Sequence, residues 1–532
     1  MLPSVLKSAF SISVVLILLT PAIVGYALQL RIAAFADFAI SIYGIYSLMY
    51  LILQIIFSEL NNKKIKKDVE SRDENWREYG VGLVVVGFRE EKDLLRRCLE
   101  SIKDSNYGNI HRIVFVVDGN EESDEYMADI YKSIINNNVI KMNNLVSDLS
   151  EVDYSMFGNN DEHVCIMQPH GGKREGLYTG FKILMNNPDI KVIVTTDSDT
   201  ILDKNAVKEL TYQCHHDDVG AVAGQIHIWN KSESLMTHIV AHRYWLSFNL
   251  ERASESFWRT VMCVAGPMAC YKVDVLKEIM DEWYNQKFLG ERCTFGDDRH
   301  LTNRVLLKGK KVVYTEYAKG YTDTPSGWTQ YLRQQTRWGK SYFREFLFNM
   351  QSVHMHPLWM CYELLYNVVY FFLLMYWVIY IMYFCSIFQQ TNAVLVTLGV
   401  SLLKSLYGSI KTKSWDFMFF YLYSLVYFLI IIPSKITALV TLWDMRWGTR
   451  GKAANWIATY WSSILWIGTM MGGFGYTVYK NRNLDFTNER YFIAFVGWFT
   501  YVGFVIVSII INYVCRRLKI FASDLEKEIV KN

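Results

Sequence analysis

Residues 9 to 30 (AFSISVVLILLTPAIVGYALQL) contain no charged side chain, and residues 33 to 57 carry only Asp37 in an otherwise apolar run. At 1.5 Å of rise per residue, each run is long enough as a helix to cross about 30 Å of hydrocarbon. A cleaved leader would show a basic n-region and a small-residue cleavage site. Lys7 stands alone, no such site follows, and the second run begins almost at once. Both runs are therefore expected to be retained membrane helices over 1–58. Lys63, Lys64, Lys66 and Lys67 come directly after them, which places the next part of the chain on the cytosolic side.

That next part, 75–327, is different in character, with short apolar runs, frequent charges and no stretch able to span. Residues 81–87 (VGLVVVG), 111–117 (HRIVFVV) and 191–196 (KVIVTT) are brief β-rich runs ending in polar turn residues. Between the first two, 91–104 (EKDLLRRCLESIKD) sets Leu94, Leu95, Cys98, Leu99 and Ile102 on one helical face. Strands alternating with helices predict an α/β domain with a largely parallel sheet, whose ligands bind at the carboxyl ends of the strands. Lys and Arg number 55 against 52 Asp and Glu, so the whole-chain charge gives no argument for a nucleic-acid partner. The 9 cysteines form no CxxC pair and no Cys/His cluster, which reads as thiols in a reducing compartment without structural zinc.

Apolar character returns over 356–532 in the segments 358–388, 393–407, 415–433, 456–479 and 491–514. The basic clusters Arg446/Arg450/Lys452 and Arg516/Arg517/Lys519 both prefer the cytosol, which demands an even number of crossings. The segment 393–407, short and containing Lys404, is the one expected not to span, leaving six transmembrane helices in all. Within 328–350 an aromatic stripe (Trp328, Tyr331, Leu332, Trp338, Tyr342, Phe346) and a basic stripe (Arg333, Arg337, Lys340, Arg344) predict an amphipathic helix in the headgroup plane. Asp37, Glu363 and Lys404, ionisable groups in or beside apolar segments, are candidates for function.

Four short motifs could carry chemistry. Asp197-Ser198-Asp199 follows the run VIVTT, so its two carboxylates sit at a strand end where they could hold a divalent cation through oxygen. Asp118-Gly119-Asn120 closes the strand before it in the same way. Gly296-Asp297-Asp298-Arg299 offers paired carboxylates suited either to capping a helix or to general-base work. Gln334-Gln335-Thr336-Arg337-Trp338 lies on the amphipathic helix.

In that order, and followed by apolar helices, these motifs resemble the processive family 2 glycosyltransferases. Gly171-Gly172-Lys173-Arg174-Glu175, Gly266-Pro267, Cys293-Thr294-Phe295-Gly296-Asp297-Asp298-Arg299 and Trp447-Gly448-Thr449-Arg450 look like the hyaluronan synthases, especially the forms carried by large algal viruses. Chitin and cellulose synthases share the general plan, though chitin synthases more usually show an acidic-Asp-Arg signature. A transporter with a nucleotide-binding regulatory domain is the reading from another class; it has no need of GDD and QxxRW near the membrane.

The resemblance implies a GT-A-type cytosolic domain inserted in a helical membrane domain, joining UDP-GlcNAc and UDP-GlcA into hyaluronan and extruding it across the bilayer, with no obligate protein partner. Asp199 and Asp197 would hold Mn2+ or Mg2+. Phe88, Asp118, Lys173, Asp197, Gln334, Arg337 and Arg450 would bind the UDP donor, and Asp298 would be the base. Cys293, Asp297, Arg299 and Trp338 would meet the acceptor, and Trp447, Gly448, Thr449 and Arg450 would form a loop closing over the donor. The family often has Tyr where Phe88 stands and an acidic residue where Asn120 stands.

Overall fold

The computed structural model describes residues 36–73, 78–149, 152–159, 161–445 and 456–480. The apolar runs 9–30 and 491–514, the tail cluster Arg516/Arg517/Lys519 and the segment 447–450 lie outside the described residues.

Nine strands form one sheet: β1 (Gly80–Gly87), β2 (Ile110–Val117), β3 (Val139–Lys141), β4 (Val164–Met167), β5 (Ile190–Asp197), β6 (Ile201–Leu202), β7 (Val219–Ile228), β8 (Ala269–Lys272) and β9 (Lys311–Thr322). Their order is β3-β4-β2-β1-β5-β8-β7-β9-β6. β1 is buried along its whole length and β5 along most of it, which explains why they read as unbroken Val/Ile runs and not as alternating ones. The predicted runs 81–87, 111–117 and 191–196 are β1, β2 and β5. The sheet is mixed, as β8 runs antiparallel to both β5 and β7, and β6 antiparallel to β9. Four-residue β8 had no pattern long enough to announce itself.

Register delivers the strand ends to one place. Val86 of β1 pairs with Val116 on one side and with Asp197 on the other, so Asp118 and Asp197 emerge at the same edge.

The helices that flank the sheet and its cavity, or build the apolar layer, include α1 (Ala36–Glu70), α2 (Lys92–Lys103), α3 (Lys173–Met185), α4 (Leu235–Leu246), α5 (Asp297–Leu307), α6 (Trp328–Asn349), α7 (Leu358–Phe384), α8 (Ile387–Thr412) and α9 (Trp456–Lys480). α2 buries Leu95, Cys98, Leu99 and Ile102, four of the five residues placed on its apolar face by spacing.

Four segments among the described residues are long and apolar enough to cross a membrane: Gly44–Glu70, Leu358–Phe384, Ile387–Thr412 and Trp415–Val440. This corrects the reading of 393–407 as too short. That run is the middle of the 26-residue α8, which gains a turn from Ser386, whose hydroxyl caps Gln389 N–H. Polar Gln390 does not break the helix because its amide donates at 2.8 Å to Thr477 on α9. Glu363 of α7 is buried and accepts a 2.5 Å bond from Tyr50 of α1, whose ring stacks on Tyr366 at 4.0 Å. It joins two apolar helices.

α6 forms as its amphipathic pattern predicts, but its basic stripe does not all face outward. Lys340 and Arg344 are buried, reaching the Asp444 and Phe295 carbonyls at 3.0 Å each. These two members of the stripe therefore bind protein carbonyls where headgroups were expected. All 8 described cysteines are free.

Candidate active site

A cavity of about 1990 Å³ opens at the carboxyl edge of the sheet and runs to the apolar helices. Its wall includes Phe88, Asp118, Lys173, Asp197, Asp199, Asp297, Asp298, Arg299, Gln334, Arg337 and Trp338. Four motifs, spread over more than two hundred positions of sequence, thus share one space.

The Asp118 end is the most tightly organised. Its buried carboxylate accepts Gly171 N–H at 2.8 Å and Gly172 N–H at 2.9 Å, and faces His170 Nδ1 at 2.8 Å. Burial pushes this carboxyl up, against the backbone bonds and the His170 ring that stabilise its charge. Asp118 thereby fixes the Gly171-Gly172 turn that leads into α3, and its oxygens are committed to this chain. Phe88 stacks on His170, with ring centres 4.2 Å apart. Asn120 donates to the Met142 carbonyl at 2.9 Å and so braces the neighbouring loop.

Lys173, on the first turn of α3, forms an ion pair with Asp197. It was expected among the donor-binding residues; the pairing draws it to the Asp197-Ser198-Asp199 motif. Burial lowers the ammonium's affinity for its proton, but Asp197 and the more distant Asp297 and Asp298 outweigh this and leave it raised. The approach is possible because residue 266 is glycine: a Cβ there would lie 3.0 Å from Lys173 Nζ and 3.3 Å from Asp197 Oδ1. Asp199 accepts from Thr200 and Thr322 hydroxyls at 3.3 and 3.4 Å. Asp197 and Asp199 offer only carboxylate oxygen to the cavity, a donor set that fits a hard dication such as Mg2+ or Mn2+.

Close to the Lys173 and Asp197 pair, Asp297 and Asp298 form the first turn of α5. Gly296 before them adopts φ +83°, and a Cβ there would collide with the Ser341 hydroxyl of α6. Glycine therefore meets both a backbone and a packing demand. Asp297 is buried, and its carbonyl accepts Trp283 Nε1–H at 2.9 Å. Asp298 accepts its own neighbour's N–H, from Arg299, at 2.7 Å, and Cys263 Sγ lies 3.8 Å from its other oxygen. It lies on the cavity wall.

α6 carries Gln334, Arg337 and Trp338 along the same wall. Burial lowers Arg337, while the charges of Asp297, Asp298 and Asp197 act to raise it. Trp338 is 38% exposed, with Tyr244 at a ring separation of 6.4 Å. The indole face is available to a flat apolar partner such as the C–H side of a sugar ring.

Cys293 is the predicted site residue that the fold does not bring onto the wall. It is buried, with its N–H bonded to the Gln286 carbonyl at 3.0 Å, whereas its neighbours Arg292 and Thr294 line the cavity. Trp447, Gly448, Thr449 and Arg450 lie outside the described residues; the wall does include Trp443, Asp444 and Met445 just before them. Sequence reasoning missed Arg243, Tyr244, Arg252, Glu255 and Lys435, all on the wall. No motif marks them; α4 and its continuation through Phe257 pack on the sheet, and the apolar segment 415–440 packs on α4 and α6.

The family described as "Glycosyltransferase like family 2" matches residues 79–341. Over 534 residues the chain is 35% identical to hyaluronan synthase 2 of Bos taurus, covering 96% of this chain and 95% of that protein. It is 34% identical to hyaluronan synthase 2 of Homo sapiens, again over 96% and 95%. Hyaluronan synthase 3 of Homo sapiens is 35% identical, with 82% of each chain covered.

Proposed function

The chain belongs to the hyaluronan synthases, within the family 2-like glycosyltransferases, and on that premise we propose that it joins UDP-GlcNAc and UDP-GlcA alternately and passes the polymer through its own membrane helices. It is a membrane glycosyltransferase with a GT-A-like mixed sheet. The observation that carries the proposal is the one cavity shared by Asp197/Asp199, Asp298 and the aromatic wall, which continues to Tyr423, Tyr427 and Ser434 of the apolar segment Trp415–Val440.

The roles follow from position. Asp197 and Asp199 would hold Mg2+ or Mn2+, which when bound neutralises charge on the diphosphate as UDP departs. Lys173, already drawn to Asp197, adds a second positive charge at that point, and Arg337 adds a third from α6. Asp298, on the same wall, takes the proton from the acceptor hydroxyl, whose oxygen then bonds to the anomeric carbon while the bond to UDP breaks. One direct displacement inverts that carbon. Trp338 stacks the acceptor sugar at the point where the cavity turns toward the membrane segment.

Arg252, Arg299 and Lys435 on the same wall make the exit favourable for a polyanion, while Arg243 is paired with Glu251 at 2.9 Å. The multi-pass arrangement, with the sheet on the cytosolic side, supplies donors on one face and releases polymer on the other.

The test is purified protein given UDP-GlcNAc alone, UDP-GlcA alone, or both, with UDP release and high-mass product measured. High-mass product only with both donors is expected. Polymer from UDP-GlcNAc alone would replace this reading with a chitin-type synthase. Polymer made by protein in sealed vesicles, with donors outside, should accumulate in the lumen.

A further inference from the structure

We infer that His238, His242 and Asp416 form a binding site for a zinc-class transition-metal dication, separate from the catalytic cavity. The two histidines stand one turn apart on α4, so both rings project from one face. Asp416 comes from a remote part of the chain, at the start of the apolar segment Trp415–Val440. Nε2 of His238 lies 3.0 Å from one Asp416 oxygen, and Nε2 of His242 lies 3.8 Å from the other. Neither nitrogen makes an aligned hydrogen bond. One ligand atom from each residue falls within a 4.8 Å cluster. Tetrahedral zinc, with bonds of about 2.0 to 2.2 Å, needs ligand atoms roughly 3.3 to 3.6 Å apart, so closure by up to about 1.5 Å suffices.

The surroundings favour a built site over a chance meeting of surface groups. The two imidazoles are 9% and 11% exposed, and the Asp416 carboxylate, at 28%, provides the open side. Phe419 meets the His238 ring edge-on at 5.9 Å, and Phe417 packs on His242 at 4.5 Å, which limits how either ring can turn. Ser414 accepts the Asp416 N–H at 3.3 Å and fixes the backbone that presents the carboxylate. None of the three residues lines the catalytic cavity.

Donor chemistry separates this site from Asp197/Asp199. Two neutral imidazoles and one carboxylate suit zinc and its neighbours, whereas an all-oxygen pair suits Mg2+ or Mn2+. A bound dication would leave a fourth position for water. It would also join two walls of the reaction space, since α4 continues to Arg243 and Tyr244, and the segment from Asp416 continues to Tyr423 and Tyr427. Its role is to lock the catalytic domain to a membrane helix.

The full chain in detergent, stripped with a chelator and then saturated with Mg2+ to fill the oxygen site, is titrated with zinc chloride by calorimetry. The wild type should bind one equivalent, and the double variant His238→Gln/His242→Gln should bind at least about tenfold more weakly. Zinc should raise the unfolding midpoint of the wild type and leave that of the double variant unmoved. Equal zinc affinity in both proteins, or no binding to either, overturns the site. If the double variant does not fold, X-ray absorption at the zinc edge of the loaded wild type decides. Two imidazoles in the coordination shell support the site, and a shell of oxygen alone overturns it.

Discussion

His300 of α5 donates from Nδ1 to the Glu345 carboxylate of α6 at 2.9 Å, linking the helix that begins with Asp297-Asp298 to the helix that carries Gln334 to Trp338. The tautomer follows from the other ring nitrogen, which accepts Arg304 Nε–H at 3.2 Å and so must be unprotonated. Burial lowers His300 further and keeps it neutral. Glu345 also accepts from Asn303 at 2.7 Å and from Gln286 at 2.5 Å, and these bonds hold it ionised although it is buried. The position of Asp298 relative to Trp338 therefore rests on a buried carboxylate with three side-chain donors.

Removing that carboxylate should damage both stability and rate. Glu345→Leu strands three buried donors and is expected to cost roughly 3 kcal/mol or more, read as a lower unfolding midpoint in detergent. Glu345→Gln keeps an acceptor and should cost less. Equal midpoints for Glu345→Leu and wild type would show that the network carries no load.

Asp298→Asn removes the proton acceptor but keeps the shape of the α5 turn. UDP binding by calorimetry should be unchanged, while polymer synthesis falls by about 10²- to 10⁴-fold. Undiminished synthesis would remove Asp298 as the base.

Lys173→Met leaves Asp197 without its ion-pair partner and takes a positive charge from the diphosphate side of the cavity. The Kd for UDP should rise, and kcat/KM should fall by roughly 10². Gly266→Ala, which crowds the same ammonium, should move both quantities in the same direction by a smaller factor. Unaltered UDP affinity in Lys173→Met would place the lysine outside donor binding.

Burial pushes the Glu255 carboxyl from 4.5 up to about 7, with Arg252 acting in the opposite direction. A raised carboxyl contributes stability that is fully present below its unfolded value and lost as pH rises through the folded one. Glu255→Gln should therefore be more stable than wild type at pH 8, by roughly 1 to 3 kcal/mol, with the difference closing toward pH 4.5. The amide can still accept Met262 N–H, which Glu255 now does at 3.1 Å. A difference independent of pH would mean that the carboxyl is ionised throughout.

What was legible in advance was local. Unbroken Val/Ile runs marked β1, β2 and β5, and the acidic residues at their ends marked the sheet edge where the cavity opens. Spacing also marked α2 and α6. Cys293 was chosen by its neighbours in a motif, yet alternation along the chain turns Arg292 and Thr294 to the cavity and leaves Cys293 buried. Segment 393–407 was judged by its short apolar length and by Lys404, and Thr477, the partner of Gln390 in the longer α8, lies 87 residues away.

The amino-acid order by itself therefore determined the apolar and polar division of the chain, the strands β1, β2 and β5, the helices α2 and α6, and the four motifs, because each depends on residues a few positions apart. Only the tertiary structure decided that β8 runs antiparallel, that Lys173 turns to Asp197, that Glu345 holds His300, and that His238 and His242 meet Asp416. Those pairings bring together groups 24 to 178 positions apart in the chain, and no periodicity records which distant surfaces will bury against each other.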